Sequence, residues 1–95
     1  MVEQPDEYPD EATLYMITNL PVLGWAGCAA LLERVGELWH YPELVKHDGE
    51  HWELHTGGWS GNEDLVMALI GNPTFWGLCW QRSERGGHYY FTIKE

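Results

Sequence analysis

Residues 43–56 read ELVKHDGEHWELHT and carry the clearest structural pattern of the chain. The pair Asp48-Gly49 separates two short runs and suits the positive φ angles of a type I′ turn. Successive side chains of a strand point to opposite faces, so Trp52 and Leu54 share one face of the second run. The stretch predicts a β-hairpin with an apolar face that other elements must cover.

The other face of this hairpin is polar. Alternation places His51, Glu53 and His55 on the face away from Trp52. Pairing across the expected turn sets Val45 opposite Trp52. A register shifted by one position would bury the histidines, so the interpretation depends on Trp52 facing the core.

The segment Gly24–Trp39, which precedes the hairpin, has the spacing of an amphipathic helix. Pro42 predicts that this helix ends by about Tyr41. Its apolar stripe consists of Cys28, Leu31, Leu32, Val35, Leu38 and Trp39.

A second helix is predicted after the hairpin. Ser60 stands three residues before Glu63, as in a capping box, so the helix is expected to begin at Gly61. Residues 71–73, Gly-Asn-Pro, are typical of a helix end.

Residues 75–95 read FWGLCWQRSERGGHYYFTIKE and predict a second hairpin, with residues 84–87 as its turn. Alternation gives each strand one apolar face. The residues expected to face the helices are Trp76, Leu78, Trp80, Tyr89, Phe91 and Ile93.

The order helix, hairpin, helix, hairpin predicts an α+β domain: a small antiparallel or mixed sheet of three to four strands with two helices packed on one face. Residues 12–95 are expected to form this single domain, because so short a chain cannot bury two cores. Residues 1–11 carry five acids and two prolines and are expected to be a disordered tail. The run ATLYMITNL, residues 12–20, fits a strand or a short helix equally well.

The polar face of the predicted sheet is where a functional site is expected. Two histidines and a carboxylate are metal ligands by type, but same-face positions of one strand diverge too far to meet at one ion. A solvated polar face is therefore the favoured interpretation, and no cofactor is predicted. The residues expected on this face are His51, Glu53, His55, Phe75, Gly77, Cys79, Gln81, His88 and Tyr90.

The loop from His55 to Glu63 is rich in glycine and leads into a helix, an arrangement that can bind phosphate through free amides. It lacks the lysine of a Walker loop, and Glu63 adds negative charge, so a helix cap is favoured. Arg85 and His88 belong to the one locally basic patch. The candidate ligand or interface residues are His55, Gly58, Trp59, Ser60, Asn62, Glu63, Arg85, His88 and Tyr90.

The amino-acid composition excludes some classes of function. The formal net charge is −10; outside the first eleven residues ten acids remain against five cations, a net of −5. Direct nucleic-acid binding is not expected without a basic face. No signal peptide or membrane span is apparent, and Cys28 and Cys79 form no CxxC pair, which favours reduced thiols in a cytosol. An oxidising compartment would allow a disulfide between them.

The motifs TGGWSGNE (residues 56–63), FW (75–76) and RGGHY (85–89) resemble a segment of small uncharacterised proteins of actinobacterial phages. The resemblance covers roughly the last 40 residues. It implies a phage-encoded protein that acts inside a bacterial cell, and it supplies no catalytic residue.

Three functions follow as hypotheses. The leading one is an accessory protein that binds a host protein, as an inhibitor or an acidic mimic, because Trp and Tyr are favoured at interfaces. The alternative is a metal- or anion-binding module or enzyme that uses His55, His88 and Glu53. The third is a homodimer sealed by aromatic residues, with Trp25, Trp59 and Phe75 as candidates.

Overall fold

The computed structural model describes residues 8–94 of the 95-residue chain. Four α-helices and four strands form an α+β fold, which confirms the predicted class. A short 3₁₀ helix, Pro42–Leu44, precedes the first strand. The elements are α1 (Glu11–Asn19), α2 (Gly24–Leu38), β1 (Val45–Asp48), β2 (His51–His55), α3 (Ser60–Ile70), α4 (Pro73–Cys79), β3 (Trp80–Glu84) and β4 (His88–Thr92).

The sheet is antiparallel throughout, in the order β1-β2-β4-β3. The first hairpin has the predicted faces, with Trp52 and Leu54 buried. Its register differs from the prediction, since Val45 pairs with Leu54 and not with Trp52. The strand pairing extends to Asp48 and His51, so the turn lies one residue later than expected. The pairing therefore shifts by two residues, and such a shift leaves every side chain on its original face.

The segment that fitted either strand or helix is helical. Asp10 caps α1 by accepting a hydrogen bond from the Thr13 amide at 2.8 Å, and its hydrogen bonds with Thr13 lower the pKa of the Asp10 carboxyl. A disordered tail was predicted for residues 1–11, and residues 1–7 of it lie outside the described part of the chain. Its last residue, Glu11, belongs to α1.

Helix α2 agrees with its prediction, since its apolar stripe is buried from Cys28 to Val35. The helix ends at Leu38, and the next indole, Trp39, donates from Nε1 to the carbonyl of His55 at 3.1 Å. This bond attaches the end of α2 to the end of β2.

Helix α3 begins at Ser60 rather than Gly61, and Trp59 occupies the N-cap position without a side-chain cap. The predicted capping box of Ser60 and Glu63 is therefore wrong: Ser60 already lies inside the helix, and the amide of Glu63 donates to the Trp59 carbonyl.

The largest departure from prediction is α4, which occupies the first half of the expected second hairpin. The Asn72 side chain accepts from the Phe75 amide at 3.1 Å, and Pro73 stands in the first turn, so a helix starts here. Phe75 and Cys79 are buried against the other helices and are not on the sheet's polar face. Gly77, also expected on that face, lies within α4.

The remaining part of the predicted hairpin is β3 and β4, joined by residues 85–87. Phe91 and Ile93 are buried as expected. Trp80 and Leu78 are exposed, although both were predicted to face the helices. The strand β3 contains a bulge between Trp80 and Arg82.

One apolar core joins the helices to a single face of the sheet. The inward side chains of β2 and β4 belong to the same buried cluster as those of α1, α2, α3 and α4. On the opposite face, each described side chain of the four strands is exposed or half-buried. Between residues 8 and 94, no helix has the length and apolarity to cross a bilayer.

The two cysteines, Cys28 of α2 and Cys79 of α4, are buried free thiols whose side chains interact with each other. Burial raises the pKa of both, and at Cys79 the neighbouring Cys28 raises it further. The thiolate, which is the reactive form, is therefore disfavoured.

We expect iodoacetamide to alkylate neither cysteine of the folded protein at pH 8 in the time that labels both in guanidinium chloride. Intact-mass spectrometry of the two samples measures this. Alkylation of the native protein at the rate of the denatured chain would contradict the burial of the pair.

Candidate functional site

The face of the sheet that points away from the helices carries polar and aromatic side chains on all four strands. Paired residues share a face, so the strand register defines three rows across the sheet. The rows are Lys46, Glu53, Tyr90 and Arg82; Asp48, His51 and Thr92; and His55, His88 and Glu84. None of the helices between residues 8 and 94 covers these rows, and we call them the polar face.

Three predicted residues form a hydrogen-bonded chain on the polar face. Nε2 of His55 lies 3.0 Å from Oε1 of Glu53, and Nδ1 of His55 lies 2.7 Å from Nδ1 of His88. Both ring nitrogens of His55 are therefore engaged. The pairing of β2 with β4 creates this contact, because it sets His55 directly opposite His88.

A second hydrogen-bonded group adjoins this chain. Tyr90 donates to Oε1 of Glu84 at 3.1 Å, and Arg82 donates from Nε to Oε2 at 3.2 Å, so both carboxylate oxygens are engaged. The Arg82 guanidinium also lies 3.9 Å from the centroid of the Tyr90 ring. Partial desolvation raises the pKa of the Tyr90 hydroxyl, and the Glu84 carboxylate raises it further.

The bulge in β3 adds one more polar side chain to this face. Gln81 accepts a hydrogen bond from the Thr92 hydroxyl at 2.7 Å, so Gln81 and Arg82 both lie over β4. A cleft of about 260 Å³ results. Its lining consists of His51, Trp52, Glu53, Gln81, Arg82, Tyr90 and Phe91.

The glycine-rich loop lies beside the polar face and is held by ring stacking and by buried hydrogen bonds. Trp59 stacks on His40 and on Tyr8, with ring centroids 4.5 and 5.1 Å apart. Asn62, a predicted ligand residue, is buried and bonds to the backbone of His40 and Thr56. Of the other predicted loop residues, Gly58 has a φ of 76°, and Ser60 and Glu63 are exposed in the first turn of α3.

The β3–β4 turn connects the loop to the histidine chain. The Thr56 amide donates to the Gly87 carbonyl at 2.9 Å, and Arg85 is exposed in the same turn. Of the predicted site residues, the structure therefore brings Glu53, His55 and His88 into contact. His51 lies on the same face, outside that hydrogen-bonded chain.

Residues 8–94 contain no group of three or more His, Cys, Asp or Glu side chains that could hold a metal ion. The histidine chain shows why: the facing nitrogens of His55 and His88 are 2.7 Å apart, which leaves no room for an ion between them. Phe75, one aromatic expected at a two-fold interface, is buried.

The prediction missed a groove of about 420 Å³ between α1 and α3. Tyr15 and Met67 border it and are 71% and 64% exposed. The remaining lining residues are Leu14, Thr18, Asn19, Asp64 and Ala68. The available signal was the helical alternative for residues 12–20, which brings Leu14, Tyr15 and Thr18 to one side at helical spacing.

Comparisons of the chain with protein-family models, with curated proteins and with solved structures gave no match.

Proposed function

We propose that this chain is a small protein-binding domain that holds a basic amphipathic helix of a host protein in the groove between α1 and α3. The observation that carries the proposal is a wide groove bordered by two large exposed side chains, Tyr15 and Met67. Methionine and tyrosine are adaptable anchors at binding surfaces, and an amphipathic helix is a common occupant of such a groove.

The arrangement of α1 and α3 concentrates negative charge at one end of the groove. Thr18 bonds to the carbonyl of Ala68, and Asn72 beyond α3 bonds to Ile17 and Leu20 at the end of α1, so the two helices run in the same direction. Their first turns therefore lie at the same end.

The first turns of these helices, the Asp10 cap and the residue that follows the first turn of α3 together hold four acids. Neither α1 nor α3 contains a lysine or arginine. The acids are Asp10, Glu11, Glu63 and Asp64. The partner expected for this groove has apolar anchors on one side and Lys or Arg next to them.

The resemblance to phage proteins supports the setting of this proposal. A phage-encoded domain of this kind would act in the host cytosol, where occupation of a basic segment could inhibit the host protein. The net charge of −10 also favours association with basic partners.

The test uses the full chain and two synthetic helical peptides, one with leucines on one side and lysines on the other, and its match with every lysine changed to glutamate. We expect the basic peptide to bind, with NMR shift changes concentrated on α1 and α3. Equal binding of both peptides, or shift changes confined to another surface, would contradict the proposal.

Substitution of the two border residues provides the quantitative prediction. We expect Tyr15→Ala combined with Met67→Ala to weaken peptide binding at least tenfold, because each anchor contributes about 1–2 kcal/mol. Leu23→Ala, an exposed side chain preceding α2, is the matched control and should leave the affinity unchanged. Isothermal titration calorimetry measures all three proteins.

A host-lysate capture then connects the groove to a natural partner. A host protein retained by the wild type and by Leu23→Ala, but lost with the double variant, supports the proposal. Retention by all three baits would place the interaction elsewhere.

A further inference from the structure

The end of the Glu53–His55–His88 chain is the Nε2 atom of His88. Nε2 has no hydrogen-bond partner anywhere in residues 8–94, whereas Nδ1 of the same ring is bonded to His55. This atom lies on the polar face, apart from the α1–α3 groove, so a site here is independent of the proposed function.

The hydrogen bonds fix where the protons are when both imidazoles are neutral. The Glu53 carboxylate can only accept, so His55 must carry its proton on Nε2. Nδ1 of His55 then has a lone pair and must accept from Nδ1–H of His88. His88 therefore carries its proton on Nδ1 and none on Nε2. This Nδ1–H tautomer is the less favoured form of histidine in water.

Gly86 leaves space beside this nitrogen. A Cβ atom at position 86 would lie 3.2 Å from Nε2 of His88, and φ of Gly86 is +91°, a conformation that side-chain-bearing residues rarely adopt. Glycine at position 86 therefore leaves free the space beside Nε2 that a side chain would occupy.

The charges around the turn admit an anion. Glu84 pairs with His88 across the strands, but both of its oxygens are bonded to Arg82 and Tyr90. Glu53 is bonded to His55. Arg85, in the turn itself, is an exposed cation that makes no ion pair with another described residue.

We infer that Nε2 of His88 is the proton-accepting atom of a binding site for a small phosphomonoester, with Arg85, an exposed residue of the same turn, as its cation. A phosphomonoester still carries a proton on part of its molecules near neutral pH, since its second pKa is about 6. It can therefore donate O–H to Nε2 and present its negative oxygens to Arg85. Phosphodiesters and sulfate cannot donate, because they have no proton at this pH.

The first measurement is the tautomer of each ring in ¹⁵N-labelled protein at pH 7.5, from long-range ¹H–¹⁵N correlations. We expect the proton on Nε2 of His55 and on Nδ1 of His88. His51→Gln, on the same face but outside the chain, should leave both tautomers unchanged, whereas His55→Phe should return His88 to the Nε2–H form. Finding Nε2–H on His88 in the wild type would overturn the inference.

The second measurement is binding of three probes at pH 7.0, where an ordinary imidazole is mainly neutral and inorganic phosphate still carries a proton that it can donate, followed by the shifts of the His88 and Gly86 signals. We expect inorganic phosphate to bind at least tenfold more tightly than sulfate or dimethyl phosphate, as the charge-assisted hydrogen bond to Nε2 requires. Equal affinities, or no binding of phosphate, would overturn the site.

Two variants and a pair of ligands complete the test. His88→Phe should lose the preference for phosphate over sulfate, and His51→Gln should retain it. Glycerol phosphate and a phosphoserine peptide share the phosphomonoester group; tighter binding of glycerol phosphate supports a small-molecule ligand, and tighter binding of the peptide would overturn that assignment. None of these results depends on whether peptides bind between α1 and α3.

Discussion

Gly87→Ala is expected to lower the free energy of unfolding by at least about 3 kcal/mol. A Cβ at this position would overlap the hydroxyl of Thr56, which is itself buried. The φ of +84° adds strain of about 1–2 kcal/mol for an alanine. The two backbone segments cannot move apart to relieve the overlap without losing a hydrogen bond, because the Thr56 amide donates to the Gly87 carbonyl at 2.9 Å.

Gly77→Ala is the matched control for this substitution. Gly77 lies within α4, and a Cβ there would have no atom within 4 Å. Alanine should therefore stabilise the protein by about 0.5–1 kcal/mol through helix propensity. Urea unfolding of both variants measures the difference, and a Gly87→Ala protein as stable as Gly77→Ala would refute the close contact with Thr56.

Asn62→Asp is expected to lower the free energy of unfolding by about 3 kcal/mol or more. The Asn62 side chain is 1% exposed, and its amide nitrogen donates to the carbonyls of His40 and Thr56 at 2.9 and 3.2 Å. Its oxygen accepts from the His40 amide at 2.8 Å. A carboxylate keeps the acceptor but directs negative charge at two carbonyl oxygens.

Asn19→Asp tests the same chemical change at the surface. The Asn19 amide also donates to a carbonyl, that of Tyr15 at 2.9 Å, but this bond is exposed to water. We expect a loss of at most about 1 kcal/mol, from the lost bond and from a negative charge at a helix end. Thermal unfolding at neutral pH compares the two; equal losses would show that Asn62 is not the buried link between α2 and α3.

The first hairpin was predictable because its sequence fits a single periodicity, the alternation of apolar and polar residues. Alternation placed Trp52 and Leu54 on the buried face whatever the position of the turn, since a two-residue shift preserves both faces. The turn itself was not predictable to one residue. Both Asp48-Gly49 and Gly49-Glu50 contain a glycine that tolerates positive φ.

The region of α4 satisfied two periodicities at once. Bulky residues alternate from Phe75 to Trp80, which predicted a strand, yet Phe75 and Cys79 are also four residues apart, the spacing of one helix face. Asn72 decided the outcome. The run Gly-Asn-Pro predicts the end of α3, whereas the Asn72 side chain also starts α4 and donates to the carbonyls of Ile17 and Leu20.

The candidate site was predictable in composition but not in geometry. Alternation put His55 and His88 on one face, but only the pairing of β2 with β4 sets their Nδ1 atoms 2.7 Å apart, and strand order could not be obtained from local patterns. The α1–α3 groove was missed for a related reason: residues 12–20 fit a strand or a helix equally well, so no helix could be placed beside α3 there.

The bulge of β3 makes this edge of the sheet a poor partner for a strand of another molecule. Open strand edges template amyloid-like stacking when they are flat and regular. The extra residue at Gln81 interrupts the hydrogen-bond ladder of this edge, and the opposite charges of Arg82 and Glu84 would have to be desolvated by an incoming strand. The irregularity that helps to shape the cleft thus also discourages fibre growth along that edge.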